Sequence, residues 1–131
     1  MELKAVNPWS WQVAFHFSQA VEARGEGRVL FLAGQTSVDP DGRALHPGDM
    51  AAQLDRAFDN LETVLSQAGL ALADVVRLNY YVTDMAAFAA ARATIAARLG
   101  SLAIKPSGTL LAIAALSQPD LMVEIEATAV A

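Results

Sequence analysis

Arg92, the carboxylate pair Glu124 and Glu126, and the two histidines His16 and His46 are the side chains of this 131-residue chain whose type and setting could carry chemistry. Arg92 stands out by helical arithmetic. With Phe88 as zero and about 100° per residue, Arg92 falls near 40°, between Ile95 near −20° and the edge of the apolar stripe. Its guanidinium therefore belongs to the apolar side of its helix, whereas Arg98, near −80°, sits at the stripe's margin. Two readings are open. The methylene stem lies on apolar surface and the head snorkels to water, or the planar fork enters a pocket and pairs with a carboxylate. Glu124 and Glu126 stand two apart in a strand-like stretch and share one face with Met122 and Thr128, while Val123 and Ile125 point the other way. Arg77 or Lys105 is the expected partner of Glu126. If both carboxylates are buried, their pKa values are pushed apart, the condition for one to hold a proton at neutral pH. His46 lies in a loop flanked by Pro47 and Gly48 and reads as a surface residue. His16, between Phe15 and Phe17, is either a hydrogen-bonded strand histidine or an acid–base or ligand-contacting group.

Other chemistries are excluded by what is missing. With no cysteine, thiolate nucleophiles, disulfides and zinc–thiolate or iron–sulfur sites all drop out. Two histidines and no carboxylate spacing of a ligand set give no expected metal, and no cofactor fingerprint of the G-x-G-x-x-G or P-loop type occurs. G-x-S-x-G is also absent. Nine Lys+Arg against fourteen Asp+Glu leave a net charge of −5, which argues against a nucleic-acid partner and hence against ribonuclease chemistry. There is no 18-residue apolar run, and Met1 to Trp11 lacks a signal-peptide core. The expectation is a cytoplasmic protein without a membrane partner.

The elements that must position these groups follow from periodicity and punctuation. Val13, Phe15 and Phe17 alternate with small or polar residues and predict a strand, the turn Arg24-Gly25-Glu26-Gly27 leads to a second strand over Arg28–Ala33, and an irregular connection spans 34–48. Asp49 is placed to cap a helix whose apolar positions run from Met50 to Ala68 and which Gly69 ends. Val75–Val82 predicts a strand with Val76, Leu78, Tyr80 and Val82 on one face and Arg77, Asn79 and Tyr81 on the other. Asp84 caps a second, alanine-rich helix over Met85–Leu99, closed by Gly100. Thr109–Leu116 and Leu121–Val130 predict a final antiparallel hairpin. The order β-β-α-β-α-β-β describes one α+β domain over 1–131 with two helices on one sheet face.

The segments Phe17-Ser18-Gln19-Ala20, Ala33-Gly34-Gln35, Asn60-Leu61, Ala73-Asp74-Val75-Val76, Val82-Thr83-Asp84-Met85-Ala86-Ala87-Phe88 and Val123-Glu124-Ile125-Glu126-Ala127 together resemble the RidA/YjgF family of reactive intermediate deaminases, formerly named perchloric-acid-soluble endoribonucleases. The resemblance covers about residues 11 to 130 in order and spacing. It implies a chorismate-mutase-like fold, a homotrimer whose sheets form a central barrel, and small-molecule pockets in the clefts between subunits. Members of the family hydrolyse enamines and imines such as 2-aminoacrylate to ketoacids and ammonia.

The departures from the family pattern fall on the site. Gly108 takes the place of the arginine that holds the substrate carboxylate, Phe17 that of a tyrosine, Phe15-His16 that of Gly-Pro, and Arg92 that of an asparagine. Glu124 matches the glutamate that positions the attacking water. The resemblance thus implies a site of Glu124, with His16 as a weaker acid–base candidate, and Arg92, Phe17, Gly34 and Gly108 as substrate-binding positions. A bidentate pair to a charged group contributes roughly 1.5–3 kcal/mol per hydrogen bond, so Gly108 removes the common way of holding 2-aminoacrylate. The expectation is a pocket for a small imino, keto or carboxylic acid that is not a standard 2-aminoacrylate deaminase; the alternative is a divergent deaminase in which Arg92 holds the substrate. The mean hydropathy of +0.33 is high for so small a chain. Leu110 to Leu116 is apolar on both sides, and a second subunit is the expected cover.

Overall fold

The computed structural model describes residues 1–131. Its strands are β1 (Glu2–Val6), β2 (Ala20–Arg24), β3 (Val29–Thr36), β4 (Val75–Val82), β5 (Leu110–Ala112) and β6 (Val123–Val130); its α-helices are α1 (Met50–Gln67), α2 (Met85–Ala90) and α3 (Arg92–Leu99). β1 and β2 form a separate antiparallel pair, and the main sheet has the order β3-β6-β4-β5.

Helix α1 forms where the punctuation places it. Asp49 Oδ1 accepts the Ala52 N–H at 3.0 Å, and Leu54, Ala57, Phe58, Leu61 and Leu65 are fully buried. Gly69, at φ +74°, supplies the left-handed residue past the end, and the Leu70 N–H turns back to the Leu65 carbonyl at 2.9 Å. The buried face rests on β3 and β6. Asp84 caps α2 in the same way, accepting from Ala87 N–H at 2.9 Å. Gln53, wholly buried in α1, has both ends of its amide satisfied. It donates to the carbonyls of His46 and Asp120 at 3.1 and 2.7 Å and accepts from the Met122 N–H at 2.8 Å. This one side chain fixes the 34–48 connection and the entry to β6 on the same helix.

Strand β6 is the centre of the sheet. Val123, Ile125, Ala127 and Ala129 face the helices and are buried, while Glu124, Glu126 and Thr128 occupy the other face. Register places Val82, Tyr80 and Leu78 opposite Val123, Ile125 and Ala127 on the helix side, as their alternation predicts, but an irregularity between Val75 and Arg77 puts the buried Val75, opposite Ala129, there in place of Val76.

Four expectations are corrected. Trp11–Phe15 is a 3-10 helix instead of a strand, with Val13 N–H on the Ser10 carbonyl and His16 N–H on the Val13 carbonyl. The partner of β2 is β1 at the N-terminus. The apolar alternation of 13–17 misleads because Val13 and Phe15 face outward, while the buried residue of the turn is Gln12. The predicted helix over 85–99 is interrupted at Ala91 (φ −95°, ψ 16°), where 3-10-type bonds replace one turn. Finally, the last two strands form no hairpin. β5 pairs in parallel with β4, Tyr80 opposite Leu110, and β6 inserts between β4 and β3, antiparallel to both. Only three residues of the predicted 109–116 strand pair, at the sheet edge, where Leu110 and Leu111 remain exposed.

Candidate binding site

The sequence-derived site residues divide into two groups on opposite faces of the sheet. His16, Phe17, Arg92 and Gly108 line one cavity of about 250 Å³, whose wall also includes Leu78 and Tyr80 of β4, Phe88 of α2 and Ile95 of α3. These wall residues belong to the helix-side face, so the cavity lies there, open between the 3-10 segment and the 105–110 loop. Gly34 and Glu124 meet on the other face. Gly34 sits at the irregularity of β3 between Leu32 and Gln35, and a Cβ there would overlap the Glu124 carboxylate. Within one chain, Arg92 and Glu124 therefore do not converge.

Arg92 opens α3, and its side chain reaches across to the 3-10 segment. Its Nη2 donates to the Ala14 carbonyl at 2.8 Å, and the guanidinium carbon stands 4.9 Å from the centre of the Phe15 ring. No acidic side chain pairs with it. Most of its five donors thus remain free beside the cavity. Arg92 is exposed and lies at the cavity wall.

His16 takes a left-handed conformation (φ 57°) as the 3-10 turn ends, which swings Phe17 back toward the cavity. Trp11 packs edge-on against both Phe17 and Phe15, with ring centres 5.5 and 6.3 Å apart. Gly108 is held by β4 on both sides. Leu78 N–H donates to the Ser107 carbonyl and Tyr80 N–H to the Thr109 carbonyl, each at 2.8 Å, and a Cβ at 108 would overlap the Leu78 carbonyl oxygen. Glycine is here a requirement of close strand approach.

Glu126 is engaged differently from the expectation. Its carboxylate accepts from the Tyr81 hydroxyl and from Asn79 Nδ2 at 3.1 Å, while Lys105 is occupied by the carbonyls of Leu102 and Gly100. The Tyr81 bond, then the Asn79 bond, then the charge of Arg77 hold the Glu126 pKa below its usual value, and the same bond raises that of Tyr81. Arg98 leaves the stripe's margin for the acidic side of α1, bonding Asp55 at 2.8 Å, Asp59 at 2.5 Å and Glu62 at 2.6 Å.

The residues missed from sequence are Trp11 and Tyr80. Tyr80 reads as a core residue of an alternating strand, and only the gap between α2, α3 and the 105–110 loop turns it into cavity wall. Burial raises its pKa, so its hydroxyl stays protonated, and it bonds to nothing else in the chain. The chain contains no cluster of potential metal ligands and no helix long and apolar enough to cross a membrane.

Comparison with known proteins gives this arrangement a family. The family model for endoribonuclease L-PSP matches residues 9–131. A RutC family protein of Pyrococcus horikoshii is 34% identical over 113 residues, 86% of this chain and 85% of that one. The 2-iminobutanoate/2-iminopropanoate deaminase of Escherichia coli is 33% identical over 105 residues, 79% of this chain and 80% of its own. Among solved structures, a Rid-family protein from Yersinia pestis superposes with a TM-score of 0.88 at 38% identity over 98% of both chains. The YjgF gene product of E. coli superposes at 0.70 with 32% identity over 87% of each. The α+β chain with its four-stranded main sheet belongs to the RidA/YjgF, or endoribonuclease L-PSP, family.

Proposed function

We propose that this protein binds 2-imino and 2-oxo acids in a cleft between subunits of a homotrimer, with the substrate carboxylate on Arg92 instead of on residue 108. The observation that carries this reading is the placement of an acid-free guanidinium in the same cavity as Gly108. The separation of Arg92 from Glu124 supports a shared site. One subunit offers Arg92, His16 and Phe17, and a neighbour offers Gly34 and Glu124. The helix-free sheet face supports the assembly, because Phe31 is 80% exposed there and Val29 is 49% exposed. In such a cleft Glu124 activates or orients the water that adds to the C=N carbon, and ammonia leaves as the carbinolamine collapses to the ketoacid.

The test is complementation. Arg92→Ala and Glu124→Gln variants are purified separately, then co-refolded as mixed oligomers and assayed for hydrolysis of an imine generated in situ. Two inactive parents that regain activity on mixing support the shared site. Mixed oligomers as inactive as the parents, beside an active wild type, rule it out. A stable monomer by light scattering at micromolar concentration removes the assembly on which the reading depends.

A second reading, binding without turnover, is favoured by Gly108 itself, since the usual carboxylate anchor has no side chain here. It expects thermal stabilisation by ketoacids, lost in Arg92→Ala, with no imine hydrolysis by wild type.

A further inference from the structure

The wall of the Arg92 cavity is far more aromatic than a three-carbon acid requires. Trp11, Phe15 and Phe17 form an edge-to-face cluster at its mouth, and Tyr80 and Phe88, ring centres 5.3 Å apart, close its inner end. Trp11 is more than half exposed in the chain, so its ring is available to a ligand, whereas the Phe15 ring carries the Arg92 guanidinium. The polar side chains of the lining are few: Arg92, whose guanidinium lies over the Phe15 ring at the mouth, with His16, Thr109 and Tyr80. At about 250 Å³ before any neighbour closes it, the cavity is near the lower end of the pockets that take drug-sized ligands, about 300 Å³.

We propose that the site is selective for 2-imino and 2-oxo acids carrying an aromatic or large apolar side chain, with the carboxylate on Arg92 and the side chain packed among Trp11, Phe17 and Phe88. This rests on the assignment of Arg92 as the carboxylate anchor. Guanidinium and rings act on different ends of one ligand. A carboxylate bound to Arg92 at the rim points its carbon chain inward, where it meets a large apolar surface of Tyr80 and Phe88 with Leu78 and Ile95. A methyl or ethyl group leaves that surface wet. A phenyl or isobutyl group covers it, and burying a side chain of that size strengthens binding roughly ten- to a hundred-fold over a methyl group. The ring edges offered by Trp11 and Phe17 also suit an aromatic partner in offset or edge-to-face contact.

Isothermal titration of the oligomeric wild-type protein with phenylpyruvate, 4-methyl-2-oxopentanoate, 2-oxobutyrate and pyruvate tests the proposal. The first two are expected to bind at least roughly ten-fold more tightly than the last two. Trp11→Ala, at an exposed position, and Phe17→Leu should each shrink that ratio, whereas Arg92→Met should weaken all four acids together. Equal affinities, or tighter binding of the small acids, in a protein whose binding still needs Arg92 overturn the selectivity and leave the anchor standing. Binding that is indifferent to Arg92→Met, or no binding of any acid, overturns the anchor and the selectivity with it.

Discussion

The Arg92 guanidinium donates to the carbonyl oxygen of Ala14 across 2.8 Å, joining the first turn of α3 to a 3-10 segment that lies 78 residues earlier in the chain. The bond and the contact with the Phe15 ring hold the aromatic mouth of the cavity against its helical wall. Arg92 thus shapes the cavity as well as lining it.

Replacing Arg92 by alanine should therefore loosen the 11–16 segment without unfolding the protein. An exposed cation–π contact contributes about 0.5–1 kcal/mol, so global stability should fall by about 1 kcal/mol or less. Hydrogen exchange should quicken at the Val13 and His16 amides and not in β4 or β6. Unchanged exchange in the 3-10 segment would contradict the tether.

Gly108 should tolerate no side chain. Ser107 and Thr109 are both bonded to β4, so the overlap with the Leu78 carbonyl cannot be relieved by a small local shift. Gly108→Ala is expected to cost about 1–3 kcal/mol in urea denaturation, the range of overpacking. Gly108→Arg is expected to be less stable still and to bring no gain in ketoacid affinity. An arginine variant as stable as wild type that binds ketoacids more tightly would refute the close-approach argument.

The three carboxylates on α1 should depend on Arg98. Its side chain is 18% exposed, while Asp55, Asp59 and Glu62 are 56%, 52% and 42% exposed. One cation shared by three acids acts as a network, so Arg98→Met should destabilise by about 1–2 kcal/mol at low salt, through lost pairing and uncovered repulsion. The deficit should narrow in 1 M salt, where the screening length is about 3 Å. Thermal melts at the two salt concentrations measure it, and a deficit that grows with salt would be inconsistent with the ion network.

Glu126 should titrate below an ordinary glutamate, chiefly because the Tyr81 hydroxyl donates to its charged form. A pKa lowered in the folded state adds stability that is present above the unfolded value and is lost as pH falls through the folded one. Tyr81→Phe should move the Glu126 midpoint upward and diminish the stability lost on acidification. The carboxyl carbon shift of Glu126, followed by NMR across the acid range, reports it. A midpoint unmoved by Tyr81→Phe would assign the shift to another cause.

Much of this molecule is determined locally. The Asp49 and Asp84 caps, the Gly69 terminator and the buried stripe of α1 lie within one helix each, where a 3.6-residue period and short-range hydrogen bonds suffice. The two-residue period of strands likewise fixes that Glu124 and Glu126 share one face of their strand and that Leu78, Tyr80 and Val82 share one face of theirs. Parity within a strand says nothing about which strands pair or which face receives the helices. Those choices belong to the tertiary structure. The best-buried strand, β6, moves to the centre of the sheet, and that insertion replaces the predicted terminal hairpin. The placement of the 3-10 turn at Trp11–Phe15 is equally non-local, since Arg92 arriving from α3 bonds the Ala14 carbonyl and stacks on the Phe15 ring. The sequence by itself singled out Arg92 by its place on the apolar stripe of a helix, and Glu124 and Gly108 through the family resemblance, as candidates for a site. Only the tertiary structure decided that the arginine and the glutamate stand on opposite faces of one sheet, because that depends on contacts between segments far apart in the chain.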